Sequence, residues 1–266
     1  MLNPLVAVVV YSAVFSIFLR IQPTTGDPSG LRSYAVFLLV TLLPWQFHVT
    51  SLTEATRSIT ANGPLITKIW FPRWALPTSA VLARFLTLLV EMAVLLVLIA
   101  VLEGHYAFAW IPVVLALMAL QLLFTVGLAL MVSAANVYFR DIQHFLGVAL
   151  APWMFLTPIL YPLNMVPEDR EFLGFSYRTL YQLNPMVSWT KAYRNALYDL
   201  RFPSAERWLA IVAATSIVLA LGFRVFNRLE PRMAEELDAH EQGAAGDEGH
   251  ARRERREPLG AQRLER

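Results

Sequence analysis

Six long apolar runs constrain this chain more than anything else in it. They fall at about residues 3–19, 34–56, 79–102, 108–134, 143–161 and 208–227. A hydrocarbon core is about 30 Å thick and takes about 20 apolar residues per helix, so each run reads as a membrane span. Continuous runs argue against a transmembrane β-barrel, whose strands alternate apolar and polar residues. Helices also satisfy every backbone polar group within lipid. Composition agrees: 56% of residues are hydrophobic and 16% are charged, where a soluble domain carries about 25% charge. The expected class is all-α and polytopic, with six transmembrane helices and both termini on one side.

The same composition excludes several functions. A net charge of +2 is too small to imply nucleic acid. The chain has no cysteine, which removes disulfides, zinc–thiolate sites and thiol catalysis. His48, His105, His144, His240 and His250 show no metal-ligand spacing. Neither G-x-x-x-x-G-K-[ST] nor G-x-G-x-x-G occurs, and G-x-S-x-G and H-E-x-x-H are absent too. The chain is thus expected to bind no ATP by those routes, to carry no catalytic residue and to hold no metal. No Lys or Arg precedes Leu5–Leu19 and no small-residue cleavage site follows it, so the start reads as a span rather than a signal peptide.

The connections are unequal. Residues 20–33 form a Pro/Gly/Thr-containing loop, while 103–107 and 135–142 are short turns. Residues 162–207 are the longest connection, with Glu168, Asp169, Arg170 and Glu171 followed by amphipathic pieces, and are expected to hold short interfacial helices. Those four charges read as a solvated loop rather than an acid/base pair. Residues 231–266 form a charged tail too poor in apolar surface to fold alone, so the transmembrane domain is placed at 1–230. Lys and Arg divide about eight to eight between the two sides, and charge bias assigns no orientation.

Between the second and third runs lies LITKIWFPRWALP, Leu65–Pro77. Pro72 and Pro77 break it into a helix-like piece and a restart. Lys68 and Arg73 stand among bulky apolar residues there, which suits a membrane face that touches a soluble partner. NVYFRDI, 136–142, ends the fourth run. Adjacent Arg140 and Asp141 do not face one another on a helix. They read either as a capping turn or as a second partner contact. Tyr11, Phe15 and Phe18 share one face of the first run, and Trp153, Phe155 and Tyr161 add aromatics to the fifth. Such rings either stack on the C–H faces of sugars or pack against helices and the interfacial belt. Glu91 lies inside the third run and defaults to a functional-site hypothesis: a proton-coupled group, or a structural partner of Arg84 two turns away. Arg224, Arg228 and Arg232 recur every fourth residue and read as an anchor to anionic lipid.

The segments LLPWQFHVTSLTEATRSITANGP, LITKIWFPR, NVYFRDI, TPILYP (157–162) and NPMVSWTKAYRNAL (184–197) follow one another in this order. With six spans, they make the chain resemble the permeases of type-2 ABC transporters, in the branch that exports O-antigen, capsule and teichoic acid. The resemblance covers roughly residues 3–230. It implies a homodimer paired with two copies of a separate ABC ATPase subunit that holds the ATP and Mg. It places the protein in the bacterial inner membrane, with the termini and residues 57–78 in the cytoplasm.

Residues 65–73 resemble the family's coupling helix, which rests on the ATPase. The implied coupling residues are Ile66, Lys68, Ile69, Trp70, Phe71, Pro72 and Arg73, with Arg140 and Asp141 beside them. Residues 162–207 resemble its short external re-entrant helices, with Asn184, Pro185, Tyr193 and Arg194 at an external gate. Tyr11, Phe15, Phe18, Trp153, Phe155 and Tyr161 would line a channel at the dimer interface for a polysaccharide or lipid-linked glycan. The family opens on a basic amphipathic helix, whereas Leu2-Asn3-Pro4 already resembles the start of the first span, which implies a start codon placed late or a truncation.

Three alternatives remain open on the sequence. One is an exporter of drugs or lipids within the same superfamily. Another is an ion- or proton-coupled carrier built on Glu91, although no inverted repeat or pair of broken helices accompanies it. The third is a polytopic glycan-modifying enzyme using Glu168, Asp169, Arg170 and Arg194.

Overall fold

The computed structural model describes residues 25–103, 107–162, 171–172, 175–176, 181 and 183–233. The first expected span with Tyr11, Phe15 and Phe18, the Glu168–Arg170 charges and the tail beyond 233 lie outside the described residues. In chain order the helices are α1 (Tyr34–Ser58), α2 (Gly63–Lys68), α3 (Ala75–Glu103), α4 (Ile111–Tyr138), α5 (Ile142–Phe155), α6 (Pro185–Arg194) and α7 (Ala205–Leu229). Two-residue strands, Glu171–Phe172 and Phe175–Ser176, pair antiparallel. Among the described residues, α1, α3, α4 and α7 are the helices long and apolar enough to cross a membrane. They match four of the expected runs.

The fifth run departs from expectation. Its helix stops at Phe155 after 14 residues, about 21 Å of rise, and residues 156–161 form turns. Pro158 disfavours helical geometry at Thr157, and the last turn tightens, with Thr157 N–H donating to Met154 O at 3.2 Å. An irregular backbone at this depth is tolerated where protein satisfies its polar groups.

The helix at the centre is the least apolar of the four. In α1, 78% of the most apolar window is buried, against 28% in α3 and 22% in α7. Lipid accepts the strongly apolar faces of α3 and α7, so hydropathy alone draws no helix inward. Packing and polar contacts hold α1 instead. Buried His48 pairs through Nδ1 with Thr125 Oγ1 on α4 at 3.0 Å and meets the ring of Trp153 edge-on at 5.4 Å. Gln121 on α4 donates to the Pro44 carbonyl at 2.9 Å. Helices α4 and α7 touch backbone to backbone: a Cβ on Gly222 would lie 2.3 Å from the Gly127 carbonyl oxygen. Only small residues permit that approach.

Hydrogen bonds also fix which helix ends lie together. Asn136 donates to Thr56 O at 3.0 Å, Tyr138 Oη to Leu229 O at 2.7 Å, and the Arg73 guanidinium to Glu230 O at 2.5 Å. The C-terminal ends of α1, α4 and α7 and the approach to α3 therefore form one end of the bundle. At the opposite end, Tyr34 Oη donates to Leu160 O at 2.7 Å and Tyr198 Oη to Leu31 O at 3.0 Å.

Candidate functional site

At the first end, Pro64 stands in the first turn of α2, where its missing N–H costs nothing. The helix ends at Lys68, and residues 69–74 run on without helical structure to α3. Pro72 lies in that gap, and Pro77 falls in the first turn of α3, where proline is tolerated. The segment is anchored at three places. Ile66 is buried, Phe71 packs on the core, and Arg73 is held by Glu230 O. Between these anchors Lys68, Ile69 and Pro72 are exposed, and Trp70 is 95% exposed.

Leu65 and Trp74 are exposed as well. They are apolar members of the same surface that lie inside the Leu65–Pro77 motif but not among the implied coupling residues, and their bulk beside Lys68 and Arg73 is the signal that includes them. Phe139, Arg140 and Asp141 are exposed on the α4–α5 turn at this same end. Exposed bulky side chains rimmed by basic groups mark a protein-docking or membrane surface.

The residues at the opposite end are drawn together by hydrogen bonds. Asn184 caps α6, its Oδ1 accepting from Met186 N–H at 3.0 Å. The same oxygen accepts from Trp153 Nε1 at 3.1 Å, and Nδ2 donates to Leu156 O at 3.1 Å. Pro185 follows as the first residue of α6, a position suited to its fixed φ. Tyr161 and Tyr181 both donate to Phe155 O, at 2.7 and 2.9 Å, and their hydroxyls touch.

Arg194 is only 8% exposed. It donates to Ile159 O at 2.8 Å and Tyr161 O at 3.5 Å, and its guanidinium lies 3.8 Å over the Phe37 ring. Thr41 adds a bond to Ile159 O at 3.4 Å. The carbonyls that the broken helix leaves unpaired are thus met by side chains from α1 and α6. Tyr193 turns the other way, donating to Gln121 Oε1 on α4 at 2.8 Å. Thr41, Pro44, Gln121, Trp189 and Tyr193 line a small cavity there, with room for about one water.

Within one chain Trp153 packs on Trp45 and His48, while Phe155 is exposed and Tyr161 partly so. Tyr34, Thr41 and Gln121 were not singled out from the sequence. Each is a polar group in an apolar run, which is the signal that could have found them. Beyond α6, Asp199 sits on the five-residue π-helix Asn195–Asp199. Its carboxyl is raised above the ordinary value of 3.8 by burial, with an Asp27 backbone hydrogen bond and Arg201 and Arg194 opposing.

Arg84 does not turn to Glu91 for its closest contact. Its guanidinium forms an ion pair with Glu54 on α1, Nε lying 2.7 Å from Oε2. Among the described residues no group of three or more His, Cys, Asp and Glu could hold a metal ion.

Four long apolar helices, a satisfied break in a fifth segment and a protruding apolar–basic end define a polytopic α-helical membrane protein. The chain matches the ABC-2 type transporter family over residues 1–198 and belongs to that family. It is 31% identical over 237 residues to the O-antigen export system permease protein RfbA of Myxococcus xanthus, covering 89% of this chain and 85% of that one. The Klebsiella pneumoniae protein of that name is 29% identical, with 88% and 85% covered. The polysialic acid transport protein KpsM of Escherichia coli is 25% identical, with 76% and 75% covered.

Proposed function

We propose that this chain is the permease subunit of an ATP-driven exporter that moves a polysaccharide or lipid-linked glycan across the bacterial inner membrane. The relatives' names supply the cargo class. The observation that carries the coupling role is the exposed surface of Leu65, Lys68, Ile69, Trp70 and Trp74, held in place by Ile66, Phe71 and Arg73 and sharing an end with Arg140 and Asp141. Two copies of an ABC ATPase, which supply the ATP and Mg site, rest on this end of a homodimer from the cytoplasm. Arg73 ties the coupling segment to the end of α7, so a push on Trp70 reaches α3 and α7 together. Asn184, Pro185, Tyr193 and Arg194 hold the outer gate, with Trp153, Phe155 and Tyr161 beside the glycan path and Tyr11, Phe15 and Phe18 lining it.

The test is co-purification from detergent-solubilised native membranes. The wild-type chain is expected to bring down a protein with a phosphate-binding loop, identified by its peptides, together with ATP hydrolysis. A Lys68→Glu/Trp70→Ala variant is expected to lose both while keeping its thermal stability. Arg73 is left intact because it serves as an anchor. An ATPase retained by that variant would refute the coupling role. Its absence from both preparations would refute the permease reading.

A further inference from the structure

Helix α7 has two contrasting faces. Ile211, Thr215, Gly222 and Phe226 are buried on one side, where Gly222 meets Gly127 of α4. Leu209, Ile217 and Leu221 are exposed on the other. Arg224 lies seven residues beyond Ile217, and Arg228 seven beyond Leu221. Two helical turns therefore put each arginine directly below an exposed apolar residue. Arg224, Arg228 and Arg232 are all exposed, and none of the three forms an ion pair among the described residues. They span about 12 Å of helix rise, against a headgroup layer of about 5–7 Å on each side of the hydrocarbon core. Arginine stems snorkel across that difference along apolar surface.

We infer that this stripe is a binding site for the headgroups of anionic phospholipid. Three observations favour lipid over a soluble protein partner. The arginines continue the outward apolar face of a spanning helix, not the face toward α4. The stripe begins at Arg224, five residues before the end of α7, and continues past it to Arg232, as expected where a span leaves the hydrocarbon core. Its neighbour along the face, Leu221, is an exposed apolar group that suits acyl chains. The site also adjoins the coupling segment, because Glu230, between Arg228 and Arg232, accepts from Arg73. Lipid bound here holds the end of α7 to which that segment is tied.

The test uses the full chain in detergent, titrated with phosphatidylglycerol or phosphatidylcholine and read by native mass spectrometry, with inorganic phosphate as a third arm. The wild type is expected to prefer phosphatidylglycerol. That preference is expected to fall about fivefold per arginine removed in Arg224→Gln, Arg228→Gln and Arg232→Gln, the equivalent of about 1 kcal/mol each, and to survive replacement of all three by Lys. Raised salt is expected to weaken it. Single variants keep the measurement open if the triple glutamine variant fails to fold. Equal phosphatidylglycerol preference in the wild type and the glutamine variants would overturn the inference, as would saturation of the effect by inorganic phosphate alone. An unchanged lipid preference combined with loss of a co-purifying protein would assign the stripe to that protein instead.

Discussion

The two ends of the bundle treat their polar and apolar groups in opposite ways. At the end formed by α2 and the α4–α5 turn, bulky apolar side chains stand in the open, with Trp70 95% exposed. At the other end, a broken helix is stitched to α1 and α6 by Tyr34, Thr41, Asn184 and Arg194 until its carbonyls are met. A chain that buries a guanidinium at one end while leaving a tryptophan exposed at the other has solved two separate problems. The stitched end must keep an irregular backbone stable beside lipid. The open end leaves Leu65, Ile69, Trp70 and Trp74 without cover from the chain itself, and under the proposed function it is where the partner docks. The difference predicts that substitutions at the stitched end act on stability and those at the open end act on partnership.

The largest effect is expected from Arg194→Ala. It strands the Ile159 and Tyr161 carbonyls and removes the cation from the Phe37 ring. Hydrogen bonds from charged donors contribute about 1.5–3 kcal/mol each, so a loss of about 3 kcal/mol is expected in reversible unfolding. Arg194→Lys keeps the charge but not the fork, and should lie between. Stability unchanged by Arg194→Ala would break the comparison outright.

The spans were legible because apolar runs of this length have one stable solution in lipid. Expectations of 34–56, 79–102, 108–134 and 208–227 meet helices at Tyr34–Ser58, Ala75–Glu103, Ile111–Tyr138 and Ala205–Leu229. The break after Phe155 was hidden in an apolar run, since TPILYP marks it only by two prolines and the hydroxyls of Thr157 and Tyr161 and carries no charge. Its compensating partners lie over a hundred positions away at Tyr34 and Thr41 and more than thirty away at Arg194. Likewise nothing local announces that α1 is central, because membrane burial selects for fit and hydrogen bonding rather than apolarity. The open end was legible at Lys68 and Trp70, whose mixture of basic and aromatic character has no reason to be buried. The anchoring of Arg73 on a backbone carbonyl of residue 230 was not, because no side-chain pattern encodes a carbonyl.

A second, smaller effect sharpens the stitched end. Asn184→Ala removes a helix cap together with bonds to Trp153 and Leu156. Cap loss costs about 1 kcal/mol, and the two further bonds bring the expected loss to about 2 kcal/mol. Asn184→Asp keeps the cap but not the donor to Leu156, so it should recover only part.

The pH dependence of stability follows from Asp199. Burial raises its folded pKa above 3.8, so the unfolded chain releases this proton first. The contribution is therefore full below pH 3.8 and is lost as pH rises through the raised value. Unfolding midpoints of the wild type are expected to decline over that acid window relative to Asp199→Asn, which lacks the titration. Parallel curves would show that Asp199 is as well solvated folded as unfolded.

The smallest expected effect is also the sharpest, since it is a near-zero. Trp70 is almost wholly exposed, while its neighbours Ile66, Phe71 and Arg73 carry the attachment of the segment. Trp70→Ala deletes no buried surface in the isolated chain, so its unfolding free energy should stay within about 0.5 kcal/mol of wild type. Ile66→Ala, by contrast, empties a buried position and should destabilise measurably. Measured side by side, the pair separates what holds the segment from what it presents. A Trp70→Ala chain that is as stable as wild type yet loses the co-purifying ATPase places the tryptophan's contribution entirely in the complex. Destabilisation equal to that of Ile66→Ala would mean that Trp70 packs against the chain itself, and the contrast between the two ends would collapse.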